Sequence, residues 1–431
     1  MRMCRGFRRL IGCVVAAVAV AACVALYAPA VARADYLVPM DLTQTNHLKA
    51  YGLAYYILAK GENVKWLLNF RGGSFLIPET SGFSTEAQAR GVRLERVDGA
   101  QVAAILQEIE SSNADVVLLE KAPTIAIYAP PNKRPWDDAV MLALNYAGIP
   151  YTIVYDQEVL TGGLEKYDWL HLHHEDFTGQ YGKFYAGFRN ADWYIQEQIL
   201  NEKIAASLGY KKVSEEKKAV ARAIKEFVRN GGFLFAMCSA TDSFDIALAA
   251  EGIDIAPREY DHDGTTPNCQ KLLDYSKCLA FENFKLVMDP LVYEFSDIDM
   301  TATAAARGES RDYFTLFEFS AKYDPVPTML VQDHVSVIKG FMGQTTSFNK
   351  SLIKKKVLIL GEVKGGDEAR YIHGNFGQGT FTFLGGHDPE DYQHLVGDPP
   401  TDLSLYPNSP GYRLILNNIL FPAAKKKEQK T

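Results

Sequence analysis

Cysteine is scarce in this sequence: six residues in 431, three of which (Cys4, Cys13 and Cys23) fall within the first 23 positions. That excludes a small scaffold stapled by disulfides. Positive charge is also in deficit, with 45 Lys and Arg against 52 Asp and Glu and a formal charge of −7. A surface of that sign repels phosphate backbones, so no nucleic acid is expected as a partner. No internal repeat is visible, and after residue 27 no apolar run is long enough to cross a bilayer.

What is present begins with a leader. Arg2, Arg5, Arg8 and Arg9 precede an apolar run over 10–27, and Ala32-Arg33-Ala34 offers a small-x-small cleavage site. This is the pattern of a secretory signal peptide over residues 1–34, with the mature chain starting at Asp35. The protein is therefore expected outside the cytoplasm, in the periplasm, with no stable membrane span after cleavage. Val20-Ala21-Ala22-Cys23 resembles a lipobox and makes a lipid anchor on Cys23 the alternative. Cleavage leaves 397 residues, takes away five arginines and no acid, and moves the formal charge to −12. It also leaves three cysteines, Cys238, Cys269 and Cys278. Reserving Cys238 leaves the other two as an expected disulfide, unless 270–277 is a continuous helix, which would hold them about 13 Å apart.

Hydrophobic periodicity divides the mature chain. A small α/β domain is expected over 35–121, from strands at 36–40, 64–70 and 115–120 and helices at 47–60 and 100–111. A second α/β series follows over 122–424, with strands at 124–128, 151–155, 169–173 and 233–237 and helices at 136–147 and 215–229. Strands alternating with helices imply a parallel sheet covered on both faces. The rhythm lapses over 261–356, read as an insertion. It returns with a strand at 357–361, a hairpin over 369–384 and a helix near 412–420. Residues 425–431 form a basic, solvated tail.

Parallel sheets place ligands beyond the carboxyl ends of their strands, so the loops there carry the candidate chemistry. In Ala236-Met237-Cys238-Ser239-Ala240, an apolar strand runs into a helix through small residues, the requirement of a tight elbow that lifts Cys238 above the sheet. Helix amides aimed at the sulfur would lower its pKa and favour a nucleophilic thiolate. Such a thiolate needs a base held by a carboxylate, and Gly386-His387-Asp388-Pro389-Glu390 supplies His387 with Asp388 and Glu390. A third loop, His171-Leu172-His173-His174-Glu175-Asp176, puts His171 and His173 on one side of a strand, where they could share a zinc ion with Glu175 or Asp176 as the third ligand. No other cofactor is implied. Asp261-His262-Asp263-Gly264 has a calcium-like flavour but is too short to assign. Phe177, Tyr181, Phe184, Tyr185, Phe188, Trp193 and Tyr194 offer either a platform for a sugar or peptide, or core.

The elbow at 231–238 and the returning segment at 379–387 resemble the class I glutamine amidotransferases, over 124–260 and 356–420. The resemblance implies a flavodoxin-like parallel sheet, with Cys238 as nucleophile and His387 as base. Glu390 stands three residues after His387, where those enzymes space the pair by two, and His173-His174-Glu175-Asp176 replaces their oxyanion-hole glycines. The whole chain also resembles exported bacterial proteins labelled asparagine synthetase B, although it has neither an amino-terminal cysteine nor a Ser-Gly-Gly-x-Asp-Ser loop. The function expected first is a cysteine-dependent amide hydrolase. The alternatives are a non-catalytic extracytoplasmic protein binding a small molecule or glycan, and a metal-dependent hydrolase.

Overall fold

The computed structural model describes residues 34–131, 138–324, 326–395 and 397–424. The expected leader up to Arg33, Cys23 of the alternative lipobox reading, and the expected tail at 425–431 lie outside the described residues. Among those described, no helix is long and apolar enough to cross a membrane.

The first unit is a five-stranded sheet built from β1 (Asp35–Val38), β2 (Val64–Leu68), β3 (Ser74–Pro78), β4 (Glu95–Val97) and β5 (Asp115–Leu119), in the order β4-β1-β3-β2-β5. Every pairing in it is antiparallel. Strand alternation splits its side chains between two layers. Leu37, Leu67 and Leu76 pack with Ile109 of the Gly99–Ser111 helix. Trp66 and Phe75 face the opposite way, onto the His47–Ala59 helix, where Tyr51 meets both rings edge-on. That helix is buried nearly all round. It packs against the helices Ala139–Ala147 and Pro410–Leu420, and the Tyr51 hydroxyl donates to Asn417 Oδ1.

These three helices form a layer shared with the second sheet. Its strands are β6 (Ile125–Tyr128), β7 (Thr152–Val154), β8 (Trp169–Leu172), β9 (Phe233–Met237), β10 (Tyr313–Leu316), β11 (Val337–Lys339), β12 (Phe348–Asn349), β13 (Leu358–Glu362), β14 (Glu368–Phe376) and β15 (Gly379–Leu384). In β9, Phe235 and Met237 face the shared helices, whereas Leu234 and Ala236 face the helices Val213–Arg229 and Ala240–Ala249.

The expected flavodoxin-like parallel sheet is not what forms. The order is β11-β10-β13-β14-β15-β9-β8-β6-β7, with β12 on β14. Only β7, β6, β8, β9 and β15 run parallel; the pairs β14–β15, β13–β14, β10–β13, β10–β11 and β12–β14 are antiparallel. The sheet is therefore mixed, and the first sheet is not α/β in the parallel sense at all. Strands β10 to β12 come from the segment read as an insertion. Two to four residues long and far in sequence from their partners, they leave almost no periodic signal.

The antiparallel flank is held by a buried ion pair. Arg370 on β14 and Asp312 just before β10 are both fully buried, with Nη2 2.7 Å from each carboxylate oxygen; Nη1 donates to Phe341 O at 3.0 Å. Arg307 reaches the same carboxylate at 2.8 Å. Removing one member of such a pair strands a buried charge. Urea unfolding of Asp312→Ala is expected to show a loss of about 3–5 kcal/mol. Breaking the exposed Lys339–Glu309 pair with Glu309→Ala should change stability by less than about 1 kcal/mol.

Candidate functional site

β8, β9 and β15 are neighbours, and their carboxyl ends carry the loops singled out from the sequence. β9 ends at Met237 and the next helix starts at Ala240, so the chain must reverse within two residues. Cys238 makes the turn in the left-handed region, at φ +50°. That conformation costs a side-chain-bearing residue roughly 1–3 kcal/mol and persists where surrounding contacts enforce it. Here they do. The Cys238 amide donates to Gly386 O at 3.2 Å, the Ala240 amide to His173 O at 3.0 Å, and the Thr241 hydroxyl to Cys238 O at 2.7 Å. Gly386 itself has φ +99°, and a Cβ there would lie 2.4 Å from the Phe341 ring.

Backbone amides converge on the sulfur. The Gln344 amide donates to Sγ at 3.2 Å, and those of Ser239 and Thr345 also bond it. The elbow thus has the form the small residues imply, but the expected acidic thiol does not follow. Burial pushes the Cys238 thiol up to about 11, outweighing the three amides, so the resting group is a neutral thiol.

Five of the nine histidines gather beside this turn. His171 packs against both Trp169 and Phe235, which also touch each other, with Nδ1 3.1 Å from Phe235 O and Nε2 3.2 Å from an Asp138 oxygen. His173, also fully buried, has Nδ1 3.5 Å from that oxygen. Burial works against charge on Asp138, yet the two imidazoles hold its carboxyl well below the usual range, while its other oxygen caps the Ala139–Ala147 helix at Met141 N. His173, His174 and His387 can each offer a nitrogen within 4.8 Å of the other two. The His387 ring stacks on His394 at 4.7 Å, and His394 Nδ1 lies 2.9 Å from Asp391 Oδ2.

Of the expected metal set, His171 and His173 do converge, with Asp138 as the third group within 4.8 Å, whereas Glu175 stands outside both histidine groups. His171 is committed to the core and Asp138, and Glu175 Oε2 accepts from the His173 amide at 2.9 Å. Of the two acids expected beside His387, Asp388 is buried and accepts from the Glu390 amide, while Glu390 bonds Ser409. Asp138, Asp391 and His394 escaped sequence reasoning. Asp138 looks like an ordinary helix cap, and the other two sit in a loop without periodicity.

A cavity of about 560 Å³ opens here, with Cys238, Glu175, His174, His387 and His394 in its wall. Tyr181, Phe184 and Trp193 of the aromatic segment line it too, joined by Tyr293. Phe177 and Tyr194 are core instead. The Asp261-His262-Asp263 segment is answered by a side chain: Lys212 Nζ lies 2.5, 3.1 and 2.5 Å from Asp254, Asp261 and Asp263. Cys269 and Cys278 are free thiols, so the expected disulfide is absent; Cys278 Sγ lies 3.2 Å from Asp245 O.

No family model matches the chain and no curated protein matches it. Among solved structures, two cytoplasmic proteins of Salmonella typhimurium are similar over 70% of this chain and all of theirs, at 10% identity and TM-scores of 0.33 and 0.35. A beta-galactosidase from Bacillus circulans sp. alkalophilus is similar over 68% of this chain and 32% of its own, at 9% identity and a TM-score of 0.24. None of the three carries the asparagine synthetase B label, and overlaps this weak assign no activity.

Two expectations follow from the buried groups. Native protein should alkylate at Cys238 at least roughly a hundredfold more slowly at pH 7 than a free thiol, with the rate rising toward pH 11; rapid labelling at pH 7 would mean a resting thiolate. Asp242, whose Oδ1 accepts from Thr345 while Oδ2 is buried without a hydrogen bond, is pushed by burial up to about 7. A carboxyl raised in the fold costs stability progressively as pH climbs from about 4 to 7. Asp242→Asn should therefore gain roughly 1–4 kcal/mol relative to wild type in urea unfolding at pH 8, and little at pH 4.

Proposed function

We propose that the chain is an exported hydrolase acting at a carbonyl carbon, an amide being the substrate class, with Cys238 as its nucleophile. The observation that carries this reading is the left-handed turn at Cys238, a strained position opening on a cavity with histidines in its wall. The base assigned is His394, an imidazole in the cavity wall whose Nδ1 lies 2.9 Å from Asp391 Oδ2.

The thiol is neutral at rest, so proton transfer accompanies attack. Sγ bonds to the carbonyl carbon, the carbonyl π pair moves to oxygen, and the thiol proton passes to His394. The intermediate collapses by breaking the C–N bond, and the amine leaves with that proton. Water, activated by the same imidazole, then cleaves the thioester. The amides of Ser239, Gln344 and Thr345 stabilise negative charge on sulfur as it develops. Tyr181, Phe184, Trp193 and Tyr293 give the substrate an apolar wall.

A panel of small amides and activated esters, followed by amine or acid release, tests the proposal. Turnover by wild type is expected to fall about 10²–10⁴-fold in His394→Ala and to vanish in Cys238→Ala. Turnover that survives Cys238→Ala would overturn it. So would ligands that raise the melting temperature without ever being cleaved, the behaviour of a binding protein.

A further inference from the structure

The nucleophile and base proposed above leave His173, His174 and His387 without a task, and their arrangement is not what a packed core produces. Buried imidazoles find hydrogen bonds, because an unpaired ring nitrogen out of water is costly. His173 is fully buried, has Nδ1 directed at Asp138, and has no hydrogen bond at Nε2. Two further imidazoles, one from the same loop and one from the end of β15, bring a nitrogen within 4.8 Å of it.

We propose that His173, His174 and His387 bind a divalent transition-metal ion of the zinc class, with Asp138 and His171 as its outer support. The inference does not depend on Cys238 being a nucleophile. Three neutral imidazoles suit zinc, cobalt or nickel and are poor ligands for calcium or magnesium, which take oxygen. In a tetrahedral zinc site with Zn–N near 2.0–2.1 Å, ligand nitrogens stand roughly 3.3 Å apart. Contraction from the present spread takes at most about 1.5 Å, within reach of small side-chain rotations. The outer shell is of the kind such sites use: a carboxylate beside the second nitrogen of a ligating histidine fixes its tautomer and orientation, and Asp138 stands there for His173. Asp138 is itself held by the Met141 amide and faces His171, which packs against Trp169 and Phe235. The three histidines stand just beyond the ends of β8 and β15, and the hydrogen bonds from Ala240 N to His173 O and from Cys238 N to Gly386 O tie both loops to the Cys238 turn. His174 and His387 open onto the cavity, which leaves room for a fourth ligand from solvent or substrate. A bound dication would polarise a carbonyl oxygen held in the same cavity.

The test is a Co²⁺ titration of chelator-stripped protein, read by the visible absorption of the bound ion. One Co²⁺ per chain is expected, with the intensity of a four- or five-coordinate site, displaced by Zn²⁺. His174→Ala and His387→Ala, both at half-buried positions, should each weaken binding at least tenfold without moving the urea midpoint. Asp138→Asn should weaken it about 10–100-fold. His262→Ala, at an exposed histidine, and Cys238→Ser should bind as wild type does. Zinc-edge X-ray absorption of the loaded wild type should show histidine scattering. Because His173 is buried, its Ala variant is read only alongside that spectrum. Failure of wild type to bind Co²⁺ or Zn²⁺ would overturn the proposal. So would binding that survives replacement of all three histidines, or binding lost in Cys238→Ser but kept in the histidine variants. Hydrolysis that fails while Co²⁺ binds as described would sink the nucleophile and leave the metal centre.

Discussion

Two backbone hydrogen bonds hold the site together: Cys238 N–H to Gly386 O, and Ala240 N–H to His173 O. Each joins the end of β9 to a neighbouring strand end, so one turn fixes the cysteine, the β8 histidines and the β15 histidine in a single frame. A left-handed cysteine would relax to a right-handed or extended conformation unless such bonds were lost by doing so. The third contact in the frame is steric. Gly386 lies so close to Phe341 that no side chain fits, and the 341–347 loop is thereby brought down until the Gln344 and Thr345 amides reach the sulfur.

The same closeness sets the electrostatics. Polar groups around the turn are almost entirely removed from water, and their ionisation follows what each has for company. Asp138 stays charged because two imidazoles face it. Asp242 and Asp299 lack a comparable cation, and burial pushes both upward, Asp242 to about 7. Cys238 is in the second situation: three amides do not offset its desolvation. A neutral nucleophile that shares a cavity with a carboxylate-held imidazole calls for general-base attack rather than a preformed ion pair, and a dication on the proposed histidine site would supply the electrophile that a weakly activated thiol needs.

Much of this was legible in the sequence where local signals and tertiary packing agree. β9 ends where its apolar run ends, the Val213–Arg229 helix ends at the residue expected, ahead of Asn230-Gly231-Gly232, and the β14–β15 hairpin falls within the span expected for it, 369–384, to within a residue. Cys238 at an elbow and His387 at a strand end were read from the same rules. What was not legible depends on pairing at a distance. The parallel sheet was inferred from alternation, but β10 to β14 add antiparallel neighbours whose register no local pattern announces. β3 and β4 were missed for the same reason. Among the site residues, strand alternation places His174 on the opposite side from His173 and so gives no sign that the two rings meet. Alternation ceases where β8 ends at Leu172, and beyond that point the ring is free to turn toward its neighbours. Asp138 contributes through a capping position that every helix needs, so its second task carries no sequence mark.

The central claim is that the turn at Cys238 is a site of covalent chemistry. The most direct measurement is the mass of the peptide carrying Cys238 after native protein has been incubated with a cleavable amide or activated ester and quenched in acid. An acyl adduct is expected on Cys238 and not on Cys269 or Cys278. It should accumulate further in His394→Ala with an activated ester, where the base that releases the acyl group is missing. An unmodified Cys238 under conditions in which the substrate is turned over would contradict it.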